Sequence, residues 1–203
     1  PRSIACRFQS GRSTVRVRFE DEQAKLNLNA LYREGRGRGV ERRVERIAGE
    51  SAVRFRLKPA PPEVREELGL EPFSVLEEVL EDVPAAISGV FDDDGPSPLR
   101  EVTCFGDGRL RISHASFDAL DLLLEGLLSR EKLSRLHEIR EEDPRLRVEK
   151  LPALLSLNPV DGARLRRLLA DRSRTHALYV LLEEAGYAEL TVVTNPMSTQ
   201  IRG

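Results

Sequence analysis

The chain has 203 residues, 40% hydrophobic and 33% charged, with a formal net charge of −2 and a pI near 6.1. That balance argues against a polyanion-binding protein, whose affinity comes largely from Lys and Arg neutralising phosphates. Aromatic residues make up only 5% and Trp is absent, so the core has to be aliphatic. Cys6 and Cys104 are open to one disulfide in an oxidising compartment or to two buried thiols. Without a C-x-x-C pair, a zinc knuckle or thioredoxin-like site is unsupported. No apolar run approaches the roughly 18 residues of a membrane-spanning helix, and no signal-peptide pattern is visible. The chain starts at Pro1 in sequence that is already patterned, which leads us to expect an excised portion of a longer protein.

Residues 3–9 and 13–20 both alternate, with Ser10-Gly11 as a turn, so a β-hairpin is expected. In the second strand Val15, Val17 and Phe19 point one way and Arg16, Arg18 and Glu20 the other, which reads as a half-buried strand with the charged side in water. Residues 21–32 follow, anchored by Leu26, Leu28 and Leu31, with Asn27 and Asn29 expected as local caps. Residues 33–46 are Gly- and Arg-rich and read as a surface loop, with RNA contact as the alternative. Residues 51–57 alternate as a strand before Pro59, Pro61 and Pro62 break the chain.

The middle is helical. A short helix opens on the proline pair and ends near Gly69. Ser74 with Glu77 reads as a capping box for a helix carrying Leu76, Val79, Leu80 and Val83, stopped by Pro84, and a second short segment, AAISGVF at 85–91, completes a first αα-hairpin. Asp92, Asp93 and Asp94 offer the oxygen-rich cluster that Ca²⁺ takes, but not the alternating spacing of a calcium loop; helix capping or a solvated acidic loop are the alternatives. Strands are expected at 101–105 and 109–113 around a Gly106-Asp107-Gly108 turn. Ser116 and Ser129 then each precede apolar residues at helical spacing, with Gly126 between, giving an αα-hairpin. A further pair is expected at 148–157 and 161–170, capped by Asp161, and a closing β-hairpin across Gly186.

The expected fold class is α+β: a small antiparallel sheet from the N- and C-terminal strands (1–58 and 172–203) with an inserted helical domain (59–171) of helix–hairpin–helix, SAM-like units. No catalytic or metal-binding motif appears. His114, His137 and His176 fall in separate elements, outside any H-x-x-x-H spacing, and there is no nucleophile elbow or P-loop. A non-catalytic protein is therefore expected. A hydrolase assembled from scattered residues would need a pocket joining His114 or His176 to a carboxylate. A helix–hairpin–helix DNA module of the DNA-uptake type is the other alternative. Its Gly-x-Gly turn is missing, and Leu127-Leu128 stands where a phosphate would sit.

Three stretches, in order, carry a resemblance: VRVRFEDEQAKLNLNALY at 15–32, DGRLRISHASFDAL at 107–120 and DRSRTHALYVLLEEAGYAELTVVT at 171–194. Together they resemble the general secretion pathway protein K family, the large minor pseudopilin of type II secretion systems. Where that family carries two Asn and a Thr in the second stretch, this chain has Arg111, Ser113 and His114. The resemblance implies a pilin-like subunit at the tip of a periplasmic pseudopilus, anchored in the inner membrane by an N-terminal hydrophobic helix that this chain lacks. It implies other minor pseudopilins, and the secreted substrate protein, as partners, with no nucleic acid and no catalysis. Some members bind calcium in loops loosely like the one at 92–94.

Overall fold

The computed structural model describes residues 3–33, 44, 53–59, 61–69, 71–92, 97–185 and 187–194. The fold is α+β, with a four-stranded antiparallel sheet in the order β1-β2-β7-β8. Strands β1 (Ser3–Ser10) and β2 (Ser13–Asp21) form the expected N-terminal hairpin, turning at Gly11. Strands β7 (Thr175–Leu182) and β8 (Tyr187–Thr194) form the closing one. The hairpins join through β2 and β7, registered Val15 on Leu182 to Asp21 on His176. The chain ends thus share one sheet, with more than 150 residues of sequence between the paired strands (Asp21 to Thr175).

The connecting sequence builds a helical layer with two short parallel pairings. β3 (Leu26–Asn27) pairs with β4 (Val102–Thr103), and β5 (Leu110–Arg111) with β6 (Leu169–Ala170). Helix α1 (Leu28–Arg33) continues from β3, and α2 (Pro62–Leu68) ends at Gly69 in the left-handed conformation. The helix expected after Ser74 is only a single turn, Leu76–Glu78, and it is the Glu78 carboxylate, not Glu77, that accepts the Ser74 and Val75 N–H groups. Pro84 opens a helix where a stop was expected. Asp82 caps α3 (Val83–Gly89), and proline is tolerated in a first turn because its missing N–H has no intrahelical partner there. Phe55 bridges to Leu80 rather than joining the main sheet.

The central hairpin forms as its caps require. Ser116 accepts the Ala119 N–H at the start of α4 (Phe117–Leu124), and Ser129 that of Lys132 at the start of α5 (Arg130–Glu142). Gly126 takes φ +78° between them. The last pair is α6 (Leu151–Leu154) and α7 (Pro159–Leu168). Its cap is Asn158, not Asp161: the Asn158 side chain accepts the Asp161 N–H, which sets the helix start at Pro159. One cluster of buried aliphatic side chains runs from Leu26, Leu28 and Leu31 through Leu120, Leu123 and Leu136 to Leu165, Ala177 and Tyr179.

The sheet faces this core with the side that the alternation assigned to water. Arg16, Arg18 and Glu20 stand opposite Leu181, Tyr179 and Ala177 on the core-facing side. The guanidinium groups are satisfied by carbonyls just beyond the C-terminus of α3: Arg18 donates to Val90 O at 3.0 Å, and Arg16 donates to Phe91 O with its plane over the Phe91 ring. That end of a helix is where cations are favoured. The apolar partners, Val15, Val17 and Phe19, lie on the outer face.

Candidate functional site

The three stretches behind the resemblance meet at the end of β2. At their centre Lys25 is fully buried (0% exposed), its Nζ 2.6 Å from both Glu20 Oε2 and Glu22 Oε1 and 2.9 Å from Tyr179 Oη. Glu22 also accepts from the Tyr179 hydroxyl at 3.2 Å. Burial by itself would lower the lysine's pKa, but Glu22, Tyr179 and Glu20 together outweigh it and hold Lys25 charged well into the alkaline range. Burial and Glu22 push the Tyr179 phenol up as well. A lysine held cationic between two carboxylates is no nucleophile. This cluster is a clamp between β2 and β7.

Asp21 forms a second clamp beside it. One carboxylate oxygen accepts from Ser173 Oγ and caps the following turn at Gln23 N. The other lies 2.9 Å from Arg111 Nη1 and 3.3 Å from His114 Nδ1. Arg111 and His114 therefore share one carboxylate. Burial, then Arg111, lower the His114 pKa below its ordinary value against the opposing pull of Asp21. Gln23 extends the junction, donating to Asp107 Oδ1 and Arg109 O and accepting the Arg174 N–H. His114 does approach a carboxylate, but Ser173 bonds that carboxylate directly, so no acid–histidine–serine relay is formed.

The two asparagines divide. Asn27 caps α1 at Ala30 N, as expected, and donates to Phe105 O. Asn29 is not a local cap: its amide donates to Phe73 O and Cys104 O and accepts from Phe73 N, tying three segments of the helical layer together. Cys104 is buried and Cys6 exposed, and the two are free thiols rather than a disulfide. Burial and then Glu22 push the Cys104 thiol up to about 12. Asp92 is exposed; Asp93 and Asp94 lie outside the described residues, as does the Gly/Arg-rich segment apart from Arg33 and Val44.

Two surfaces stand open. The outer sheet face carries Ile4, Cys6 and Phe8 on β1, Val17 and Phe19 on β2 beside the buried Val15, His176, Leu178, Val180 and Leu182 on β7, and Tyr187, Glu189, Thr191 and Val193 on β8. Ile4 is 61% exposed, Phe8 50% and Val193 53%. The second surface is a cleft of about 490 Å³ between α4 and α5, in which His137 Nε2 meets Asp121 Oδ1 at 2.7 Å. Sequence spacing alone did not join this histidine–carboxylate pair. His137 Nδ1 is buried with no partner, so it relays no proton to Ser134 on the same helix. Leu128 of the hairpin turn is buried in the core, filling with hydrocarbon the place a phosphate-binding turn keeps open. Among the described residues no helix is long and apolar enough to cross a membrane, and no group of three or more His, Cys, Asp or Glu is arranged to hold a metal. No protein-family model, curated protein or solved structure was found to match the chain.

Proposed function

We propose that the chain is the soluble region of a minor pseudopilin-like component of a type II protein secretion system, acting without catalysis in assembly of the pseudopilus tip. The observation that carries this reading is the outer face of the sheet. An apolar face of this extent on a water-exposed sheet marks a surface made to be covered. β1 is an edge of that face and the first strand of the described chain, so a hydrophobic helix upstream of Ser3 would be delivered directly onto it. In this reading the sheet is the pilin-like part, held against the periplasmic side of the inner membrane by that upstream helix. The α4–α5 and α6–α7 pairs are helix–hairpin–helix units of an insert that meets other minor pseudopilins and the secreted protein.

The test is genetic and uses the natural, full-length chain. Deleting the gene in its own bacterium is expected to abolish release of type II-dependent exoproteins. The wild-type gene should restore release, and a Phe8→Asp, Val180→Asp variant should not, although that variant folds. Undiminished secretion in the deletion strain would refute the reading. Salt-dependent binding of duplex DNA by the purified chain would replace it with the DNA-uptake alternative.

A further inference from the structure

The cleft between α4 and α5 has a regular construction. α4 lines it with Asp118, Asp121 and Leu122, Glu125 follows just past the helix end, and α5 lines it with Arg130, Leu133, Ser134 and His137. The α5 set follows the i, i+3, i+4, i+7 spacing of a single helix face, and Asp118, Asp121 and Leu122 the i, i+3, i+4 spacing. Leu128 closes one end, so the floor is leucine and one wall carries the Asp118 and Asp121 carboxylates, about one helical turn apart. Among the described residues Asp118 has no cationic partner, and Asp121 meets only His137. Arg130 is the guanidinium that lines the cleft with these carboxylates. A trough of this form, between two helices with an acidic wall, suits a third helix that is cationic on one side and apolar where it touches the floor.

The same chain displays such a helix. The outer surface of α7 presents Pro159, Val160, Ala163, Arg166 and Arg167. Val160 is 76% exposed, an unusual position for a β-branched aliphatic residue on a helix whose other side is packed in the core. Val160, Ala163 and Arg167 again follow helical spacing, with the small Ala163 permitting close approach. The two arginines lie in the last turn, so an incoming α7 brings an apolar N-terminal half and a cationic C-terminal half.

We propose that the α4–α5 trough receives α7 of a second copy of this chain, with Val160 on the leucine floor and Arg166 and Arg167 along the Asp118–Asp121 wall. Trough and helix are different patches of one surface, so the contact is heterologous. Each added copy leaves a free trough at one end and a free α7 at the other. It is independent of the secretion reading, since it rests on the helical layer alone.

The experiment is sedimentation velocity of the full chain, wild type and two blocked forms. Ser134→Trp fills the trough and Val160→Asp spoils the incoming helix. Both positions are exposed, so the fold is retained, as circular dichroism would verify. Wild type is expected to show weight-average mass rising without limit as concentration goes from about 10 µM to 1 mM, the weak range suited to a small interface. Added salt should shift the rise upward in concentration, because carboxylate–arginine attraction is screened. Each blocked form alone should remain monomeric. Their mixture should give a 1:1 dimer and nothing larger, because one free trough meets one free α7. A wild-type chain that stays monomeric throughout would overturn the proposal. So would association that persists in either blocked form, or one that stops at a symmetric dimer.

Discussion

Lys25→Met is the most direct probe of the β2–β7 clamp. The substitution keeps the volume of the aliphatic stem but removes the ammonium that touches Glu20, Glu22 and Tyr179, leaving the Glu22 carboxylate buried beside the Tyr179 hydroxyl while Glu20 keeps its ion pair with Arg18. Breaking a buried pair by removing one partner costs about 3–5 kcal/mol, most of it the penalty of the stranded charge. Against a typical total of about 5–15 kcal/mol, that is a fifth or more of the stability of the fold. For a chain of this length it corresponds to a fall in Tm on the order of 10 °C. Urea unfolding followed by circular dichroism measures the difference directly. In the wild type, the raised Lys25 contribution is fully present below the ordinary lysine range and is lost only as pH climbs through the higher folded-state value, so it adds no slope near neutrality. Replacing the cluster together, as Glu20→Gln, Glu22→Leu and Lys25→Met, should recover much of the loss, since well-packed neutral groups replace buried ion pairs with little penalty. A loss below about 1 kcal/mol for Lys25→Met alone would refute a dry, charged clamp and place that amine in contact with water.

Further expectations follow from single positions. Gly162→Ala should destabilise by about 1–2 kcal/mol in thermal melts, opposite in sign to the roughly 1 kcal/mol that alanine gains over glycine in a free helix. The reason is that its Cβ would stand 2.9 Å from Pro152 Cβ, at the α6–α7 contact, and a proline ring cannot swing away. His114 should titrate below its ordinary value by NMR. Because the folded chain resists its protonation, stability should decline as pH falls from about 6.5, and His114→Gln should flatten that slope. Cys6 should react with a thiol reagent in the native state, whereas Cys104, buried and with its thiol pushed up to about 12, should react only on unfolding.

Much of the element order was legible because it is written locally. The caps at Ser116 and Ser129, the turn at Gly126 and the alternation of the terminal strands are short-range signals, and each forms where its chemistry says. The errors are equally local in origin. Pro84 and Asp161 have two helical roles, stop or first turn and cap or third residue, and only the neighbouring Asp82 and Asn158 side chains decide between them. The junction was barely legible. Glu20, Asp21, Glu22 and Lys25 read as a charged run, which is normally a solvated face. What buries them is Tyr179, Arg111 and Ser173, between 86 and 159 residues away (Lys25 to Arg111, Glu20 to Tyr179), brought in by β5 and β7. The one signal in the sequence was position: charges directly before Leu26, Asn27 and Leu28, a run that had to be buried.

The inverted polarity of the sheet links these points. Alternation establishes that β2 has two unlike faces but not which one meets the core, because the count of apolar residues is blind to what lies opposite. Here the core side has charge partners waiting: carbonyls beyond the end of α3 for Arg16 and Arg18, and Lys25 for Glu20. Those arginines spend their hydrogen bonds inside the molecule, which leaves the hydrocarbon row of Val15, Val17 and Phe19 to the outside together with Phe8, Val180 and Leu182. If the outer face served no contact, replacing Phe8 and Val180 by polar residues would only improve solubility, and selection would have no reason to keep it apolar. If it is a covered face, the same substitutions leave the isolated chain stable, because neither residue belongs to the core cluster, and fail only in the assembled protein. Equal urea midpoints for wild type and the Phe8→Asp, Val180→Asp variant, combined with lost secretion, would therefore separate a docking face from a folding face. A collapse of the isolated chain would instead mean that the outer face supports the fold itself.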